Sequence, residues 1–202
     1  MISINLCKAV KVGGDYYDYF ELPDNKVGVM IGDVKGHGFD AGLMVSMVKS
    51  FSMVKSCLYM QLKNDYSLPS VMSAINEIIY EYGFKPNFMY MTFCYMIFDL
   101  KTHLASFSIA GHPFPRHYLA SENRIADINL DFGNTLLGWD KAEIYDISNP
   151  ESWGKGDVFI LFTDGITDAS NINEECYGEE RLEEQIIKNA HLTPKEIKEK
   201  IL

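Results

Sequence analysis

The chain has 202 residues, of which 47% are hydrophobic and 23% charged, and it carries a formal net charge of −10. That length suits one domain with a sizeable core, and the balance is that of a globular chain and not a disordered one. The acidity speaks against a nucleic-acid surface, which would need a basic patch. No run approaches the length of a membrane span, and the start lacks the basic segment and apolar run of a signal peptide. Cys7, Cys57, Cys94 and Cys176 form no CxxC pair, so buried, reduced thiols in a cytoplasmic protein are expected.

In chain order, "INLCKAVKV" and "DYYDYFEL" are β-prone, "PDN" is a turn signal, and "KVGVMIGDV" is a nearly continuous apolar run, as for a strand covered on both faces. A long helix is predicted from about Phe39 to Lys63, with Leu43, Met47, Phe51, Val54 and Leu58 at helical spacing and Met44, Val48 and Met53 widening the face. Its methionines read as core filling. A second helix opens at "SLPS", with Ser67 or a neighbour as cap and Pro69 in the first turn; Val71, Ile75, Ile78 and Tyr82 form its stripe and Gly83 stops it.

Strand signals return in "FMYMTFCYMIFDL", "HLASFSIAG", "FPRHYL" and "NRIADI", the first two joined by the hairpin-like "DLKTH". After a loop around "GNTLLGWD", strands are expected at "AEIYDIS" and "DVFILFTDG". Two short helices follow: one with the stripe Leu182, Ile186 and Ala190, and one opened by a capping box, Thr193 with Glu196, and Pro194 at its first position. Strands in blocks, with consecutive helices between them, suggest a single α+β domain over 1–202, a layered sandwich of largely antiparallel sheets.

Three acids share a context. Asp15 starts a strand after Gly13 and Gly14, Asp33 ends one before Gly36-His37-Gly38, and Asp164 ends one before Gly165. Taken singly, an Asp beside Gly is most often a turn residue. Three converging carboxylates would repel unless a cation lay between them, and oxygen ligands select hard ions such as Mg²⁺ or Mn²⁺. Asp18 reads as solvated or turn-capping, and Asp168 as a helix-start acid in preference to an additional metal contact. His37 and His112 each admit two readings, a phosphate-facing group or a loop histidine bonded to backbone.

Five motifs in order, "VGGDYYDYF", "GDVKGHGFDAGLM", "MTFCYMIFDLKTHLASFSIAGHPFP", "LLGW" and "GDVFILFTDGITDASN…YGEERL", closely resemble the SpoIIE/RsbU branch of the PPM-type metal-dependent protein serine/threonine phosphatases. The resemblance covers nearly the whole chain. It implies a four-layer αββα sandwich with two Mn²⁺ or Mg²⁺ ions at one end. Asp33 would bridge both ions, the Val34 carbonyl would bind one, Asp164 would ligate the second, and Asp15 would bind the first directly or through water. It further implies hydrolysis by a metal-activated water with no phosphoenzyme, acting on phosphoserine or phosphothreonine of a signalling protein. A STAS-type anti-anti-sigma factor is the expected substrate, in sigma factor regulation, and an upstream regulatory domain is a further expected partner. The long helix after "GHG" becomes a candidate regulatory element.

The family usually carries a further Asp in a "DD" motif leading into its last strand. No such motif precedes Leu202. The expectation is therefore a C-terminally shortened domain, lacking strands, with a weakened second metal site. That absence motivates an alternative, a catalytically impaired module that binds a regulatory partner. A nucleotide cyclase, suggested by GGD alone, is a distant third that leaves "TDG" without a role.

Overall fold

A computed structural model describes residues 13–62, 67–82, 89–128 and 134–201. The strand expected at "INLCKAVKV", Cys7, Gly83 and the side chains of Phe51, Met53, Val54, Cys57 and Leu58 lie outside what is described. The elements are β1 (Asp15–Leu22), β2 (Lys26–Val34), α1 (Phe39–Leu62), α2 (Leu68–Tyr82), β3 (Met91–Asp99), β4 (Leu104–Ala110), β5 (Arg116–Leu119), β6 (Arg124–Ile125), β7 (Glu151–Ser152), β8 (Val158–Ile160), α3 (Asp164–Thr167), α4 (Glu179–Asn189) and α5 (Pro194–Ile201). They fall into two compact units, one within Ala9–His112 and Leu130–Ser152, the other within Pro113–Asn129 and Trp153–Leu202. Each pairs antiparallel sheet with helices, the α+β class expected.

The first unit is built on the sheet β1-β2-β3-β4-β7, antiparallel throughout. Period-two alternation along β2 puts Gly28, Met30, Gly32 and Val34 on one buried face. Tyr16, Phe93 and Tyr95 join Met30 and Val34 there, in one core with Met44 and Val48 of α1 and Met72, Ile75 and Ile79 of α2. Cys94, Met96, Ala105 and Phe107, on the opposite face by register, are also fully buried. The near-continuous apolar run of β2 fits a sheet covered on both sides.

Glycine at 32 has a packing reason. Tyr16 and Phe93, its register partners on the flanking strands, stack over it at 5.8 Å between centroids. A Cβ at Gly32 would lie 2.4 Å from the Thr92 carbonyl oxygen and 2.7 Å from the Phe93 ring. The β1–β2 hairpin closes through a 3-10 turn at Pro23–Asn25, where Asp24 and Asn25 take φ of 61° and 59°, the left-handed conformation that Asx residues tolerate best.

Both helices meet the core along part of the expected face. In α1, Met44 and Val48 of that face are buried with Ala41, and Met47 packs against the core, while Leu43 is exposed. In α2, Leu68, Met72, Ile75, Asn76 and Ile79 are buried; of the expected line Ile75 is buried and Val71 packs against the core, while Tyr82 is 71% exposed. These helices are apolar on more than one side, which leaves the phase open to periodicity. In α2 the Asn76 amide decides it, donating to the Asp140 carbonyl at 2.8 Å and accepting from the Gly138 amide at 2.7 Å. Another expectation fails at "AEIYDIS", where no strand forms. That segment buries Tyr145 and is held to β4 by single bonds, Ser148 N–H to the Phe107 carbonyl at 2.8 Å and Phe107 N–H to Ser148 Oγ at 2.9 Å. Only Glu151–Ser152 beyond it pairs as a strand, against β4.

The second unit holds the sheet β6-β5-β8 with α3, α4 and α5. Leu182 and Ile186 of α4 are buried with Tyr118 and Phe162, and Ala190 packs at their margin, the stripe expected. The capping box of α5 is formed: Thr193 N–H and Oγ1–H donate to Glu196 Oε2 at 2.9 and 2.7 Å. Asp157 accepts from the Ala120 and Gly154 amides, each at 2.8 Å, and lies 3.2 Å from His117 Nε2. Burial alone would raise the Asp157 pKa, but those two amides and His117 together outweigh it and hold the carboxyl below its ordinary 3.8.

Two tests follow from this packing. Gly32→Ala is expected to cost about 1–3 kcal/mol through overpacking against backbone, read as a lowered urea midpoint at unchanged slope. A depressed carboxyl lends stability that is complete above its unfolded pKa and is lost as pH falls through its folded value. Urea midpoints stepped below the ordinary pKa of 3.8 should therefore fall less steeply in Asp157→Asn than in wild type.

Candidate metal centre

The β1–β2 register pairs Asp15 directly with Asp33, and the β2–β3 register pairs Asp33 with Thr92. The three side chains form a row across the end of the sheet, on the face away from Val34 and Met30. Asp15 is exposed and Asp33 half-buried. The backbone around Asp33 is tied on both sides. Its own amide donates to Thr92 Oγ1 at 3.1 Å, the Val34 amide donates to the Gly14 carbonyl at 3.1 Å, and the Lys35 amide donates to the Tyr90 carbonyl at 3.0 Å. Thr92 Oγ1 lies 2.9 Å from Nδ1 of the buried His112. Beyond Lys35 the chain turns on Gly36 and Gly38, both at positive φ. The Lys35 ammonium sits 4.9 Å above the Tyr90 ring, which meets Trp139 edge-on at 5.7 Å.

Gly14 is where the fit to a cation can be tested. A Cβ built there would lie 2.6 Å from the Val34 carbonyl oxygen, 2.9 Å from Asp33 Oδ1 and 3.0 Å from the Gly36 carbonyl oxygen. Three oxygens thus crowd a space that only glycine leaves open, beside the Asp15 carboxylate. The donors are all oxygen, the chemistry that suits Mg²⁺ or Mn²⁺. Like charges directly opposite on neighbouring strands repel, and a cation beside them removes that cost.

Asp164 belongs to the second unit. It is exposed and begins α3, four residues past the end of β8, so it opens a helical turn and does not end a strand. Among the described residues, no group of three or more His, Cys, Asp or Glu side chains is gathered to hold a metal. Asp168 closes α3, its amide donating to the Asp164 carbonyl at 2.8 Å, which corrects its reading as a helix-start acid. The Asp18 carboxylate accepts from the next residue's amide, the mundane role expected. His37 is exposed. Cys94 is buried, which pushes its thiol pKa far up, but Cys176 is exposed, against the expectation of buried thiols. Sequence reasoning missed Thr92, whose one signal was a lone hydroxyl in an apolar strand.

A profile of the Stage II sporulation protein E (SpoIIE) family matches residues 23–202. The chain belongs to the SpoIIE family. It is 28% identical over 167 residues to the phosphoserine phosphatase RsbU of Bacillus subtilis, covering 82% of this chain and 46% of that protein. The chain thus spans less than half the length of that relative. The SiaA-PP2C domain of Pseudomonas aeruginosa matches with a TM-score of 0.76 at 18% identity, over 94% of this chain and 72% of that one. RsbX crystallised in complex with magnesium matches with a TM-score of 0.67 at 15% identity, over 97% of this chain and 82% of that one. This SpoIIE-family chain therefore has the fold of PP2C-type domains.

If Asp15 and Asp33 repel in the metal-free chain, Asp15→Asn should stabilise it by about 0.2–1 kcal/mol. The comparison is the urea midpoint in chelator against that of wild type. An unchanged or lowered midpoint would show that the pair carries no electrostatic cost.

Proposed function

We propose that this chain is a metal-dependent protein serine/threonine phosphatase, removing phosphate from phosphoserine or phosphothreonine on a signalling protein. The observation that carries this reading is the Asp15–Asp33 pair set beside the converging oxygens of Val34, Asp33 and Gly36. Membership of the SpoIIE family and likeness to a phosphoserine phosphatase support it, as does the PP2C-type fold shared with a magnesium-bound relative.

In this reading Asp33, the Val34 carbonyl, Asp15 and Asp164 would be the ligands that hold two Mn²⁺ or Mg²⁺ ions. When bound, such ions lower the pKa of water and offset negative charge on phosphoryl oxygens, which is what hydrolysis of a phosphate monoester requires. The protein's own part is to hold these oxygens in place. The β1–β2 register fixes Asp15 against Asp33, and the Thr92, Gly14 and Tyr90 bonds fix the backbone from Asp33 to Lys35. No side-chain nucleophile is needed. The substrate we favour is a STAS-type anti-anti-sigma factor, in keeping with the likeness to RsbU. The cytoplasm is the compartment we favour; among the described residues no helix is long and apolar enough to cross a membrane.

The test is phosphate release from a phosphoserine protein as Mn²⁺ is titrated. Release should saturate with Mn²⁺, vanish in chelator, and fall by about 10²-fold or more in Asp33→Asn and Asp164→Asn variants that melt normally. Release that needs no metal, or that survives Asp33→Asn, would sink the reading. A chain that binds Mn²⁺ and the phosphoprotein but releases nothing would instead be a partner-binding module.

A further inference from the structure

We propose that His112 is a positioning residue for the metal centre, acting through the Thr92 hydroxyl on the backbone of Asp33. The inference rests on the metal-site reading of Asp33 given above. Its own ground is a hydrogen-bonded chain that lies wholly within the first unit.

The Asp33 amide donates to Thr92 Oγ1 at 3.1 Å, so one lone pair of that oxygen is taken. Thr92 Oγ1 also lies 2.9 Å from His112 Nδ1 and 3.4 Å from the Asp33 carbonyl oxygen. Both ring tautomers keep the chain: the hydroxyl donates to Nδ1, or Nδ1–H donates to Oγ1 while the hydroxyl turns to the Asp33 carbonyl. In each, His112 fixes the orientation of the threonine oxygen that accepts from the Asp33 N–H.

His112 is 5% exposed, a polar ring in a buried place, where an imidazole without a task would be costly. It comes from the end of β4, where the chain passes Gly111 at a φ of +58°. Thr92 comes from β3, as the direct register partner of Asp33. Two separate strand ends therefore converge on one amide. Fixing that amide fixes both the carboxylate of Asp33 and, one residue on, the Val34 carbonyl, which are two of the three oxygens around Gly14. Outer hydrogen bonds of this kind orient metal ligands, and their loss typically costs 10–100-fold in metal affinity. Neither Thr92 nor His112 is itself assigned to a metal here.

The experiment measures Mn²⁺ affinity by calorimetry in wild type, Thr92→Val, Thr92→Ser, His112→Leu, His112→Asn and the Thr92→Val/His112→Leu pair. Hydrogen exchange at the Asp33 amide is followed in the same proteins without metal. Thr92→Val and His112→Leu should each weaken Mn²⁺ binding by about 10-fold and speed Asp33 exchange. Thr92→Ser keeps the hydroxyl and His112→Asn keeps an acceptor near Nδ1, so both should stay close to wild type. The double variant should be no weaker than Thr92→Val alone, because the two residues act as one chain. Affinities unchanged in Thr92→Val and His112→Leu, losses that add, or failure of the conservative variants to rescue would each overturn the proposal. Should His112→Leu not fold, the Thr92→Val and Thr92→Ser comparison with His112→Asn decides alone. Wild type that shows no Asp33-dependent Mn²⁺ binding would overturn the metal reading itself, an outcome separate from intact binding that ignores His112.

Discussion

Slipping β1 against β2 by one residue would turn Asp15 toward the helices and Tyr16 away from them, since side chains alternate with a period of two. The opposition of the two carboxylates is therefore a property of register. It holds because the helix side of the sheet is specified strongly. Tyr16 and Phe93 stack over Gly32, and the Phe20 and Tyr95 rings crowd the bare backbone of Gly28. A slipped strand would bring a side chain under these rings. Magnitudes favour the same outcome. A like-charge cross-strand pair costs about 0.2–1 kcal/mol, whereas burying one aromatic contributes about 1.5–3 kcal/mol, and the core holds several. The apolar face sets the register, and the acid face bears the consequence.

Much of this was legible in the residues. The strands that carry the row are long and strongly apolar, and acids at the ends of such runs stand out, so Asp15 and Asp33 were visible, with Asp164, as three candidate ligands before their geometry was known. The capping box of α5 and the stripe of α4 were equally plain, because those helices have one apolar side only. The phase of α1 and α2 was only partly so. With apolar residues on several sides, only the tertiary partners choose the inward face, and in α2 a buried amide, Asn76, makes part of the choice. "AEIYDIS" has alternation without a ladder, because a polar side chain, Ser148, supplies one of the bonds that a strand would take from backbone. Thr92 and the Gly36 carbonyl were hidden for a different reason, and the Val34 carbonyl entered only through the family resemblance. Backbone oxygens leave no trace in the residue alphabet, and one hydroxyl in an apolar strand has many innocent explanations.

The second unit solves its electrostatics by the opposite means. There two half-buried charges have local partners: Asp157 its two amides and His117, and Arg116 the carboxylates of Glu179 and Glu183 at 2.7 Å each, with the Phe162 ring 5.5 Å beneath it. Such satisfied groups carry structure. Asp15 and Asp33 differ in facing each other with like charge across neighbouring strands.

Trp139 gives this end of the sheet an optical reporter. It is one of only two tryptophans in the chain, is 51% exposed, and rests edge-on against Tyr90. The Tyr90 carbonyl holds the amide of Lys35, two residues past Asp33. Any rearrangement that lifts the end of β2 from β3 must move Tyr90, and with it the surroundings of the indole. The emission of an unlabelled chain therefore carries information about the backbone beside the acids, on timescales that turnover assays average away.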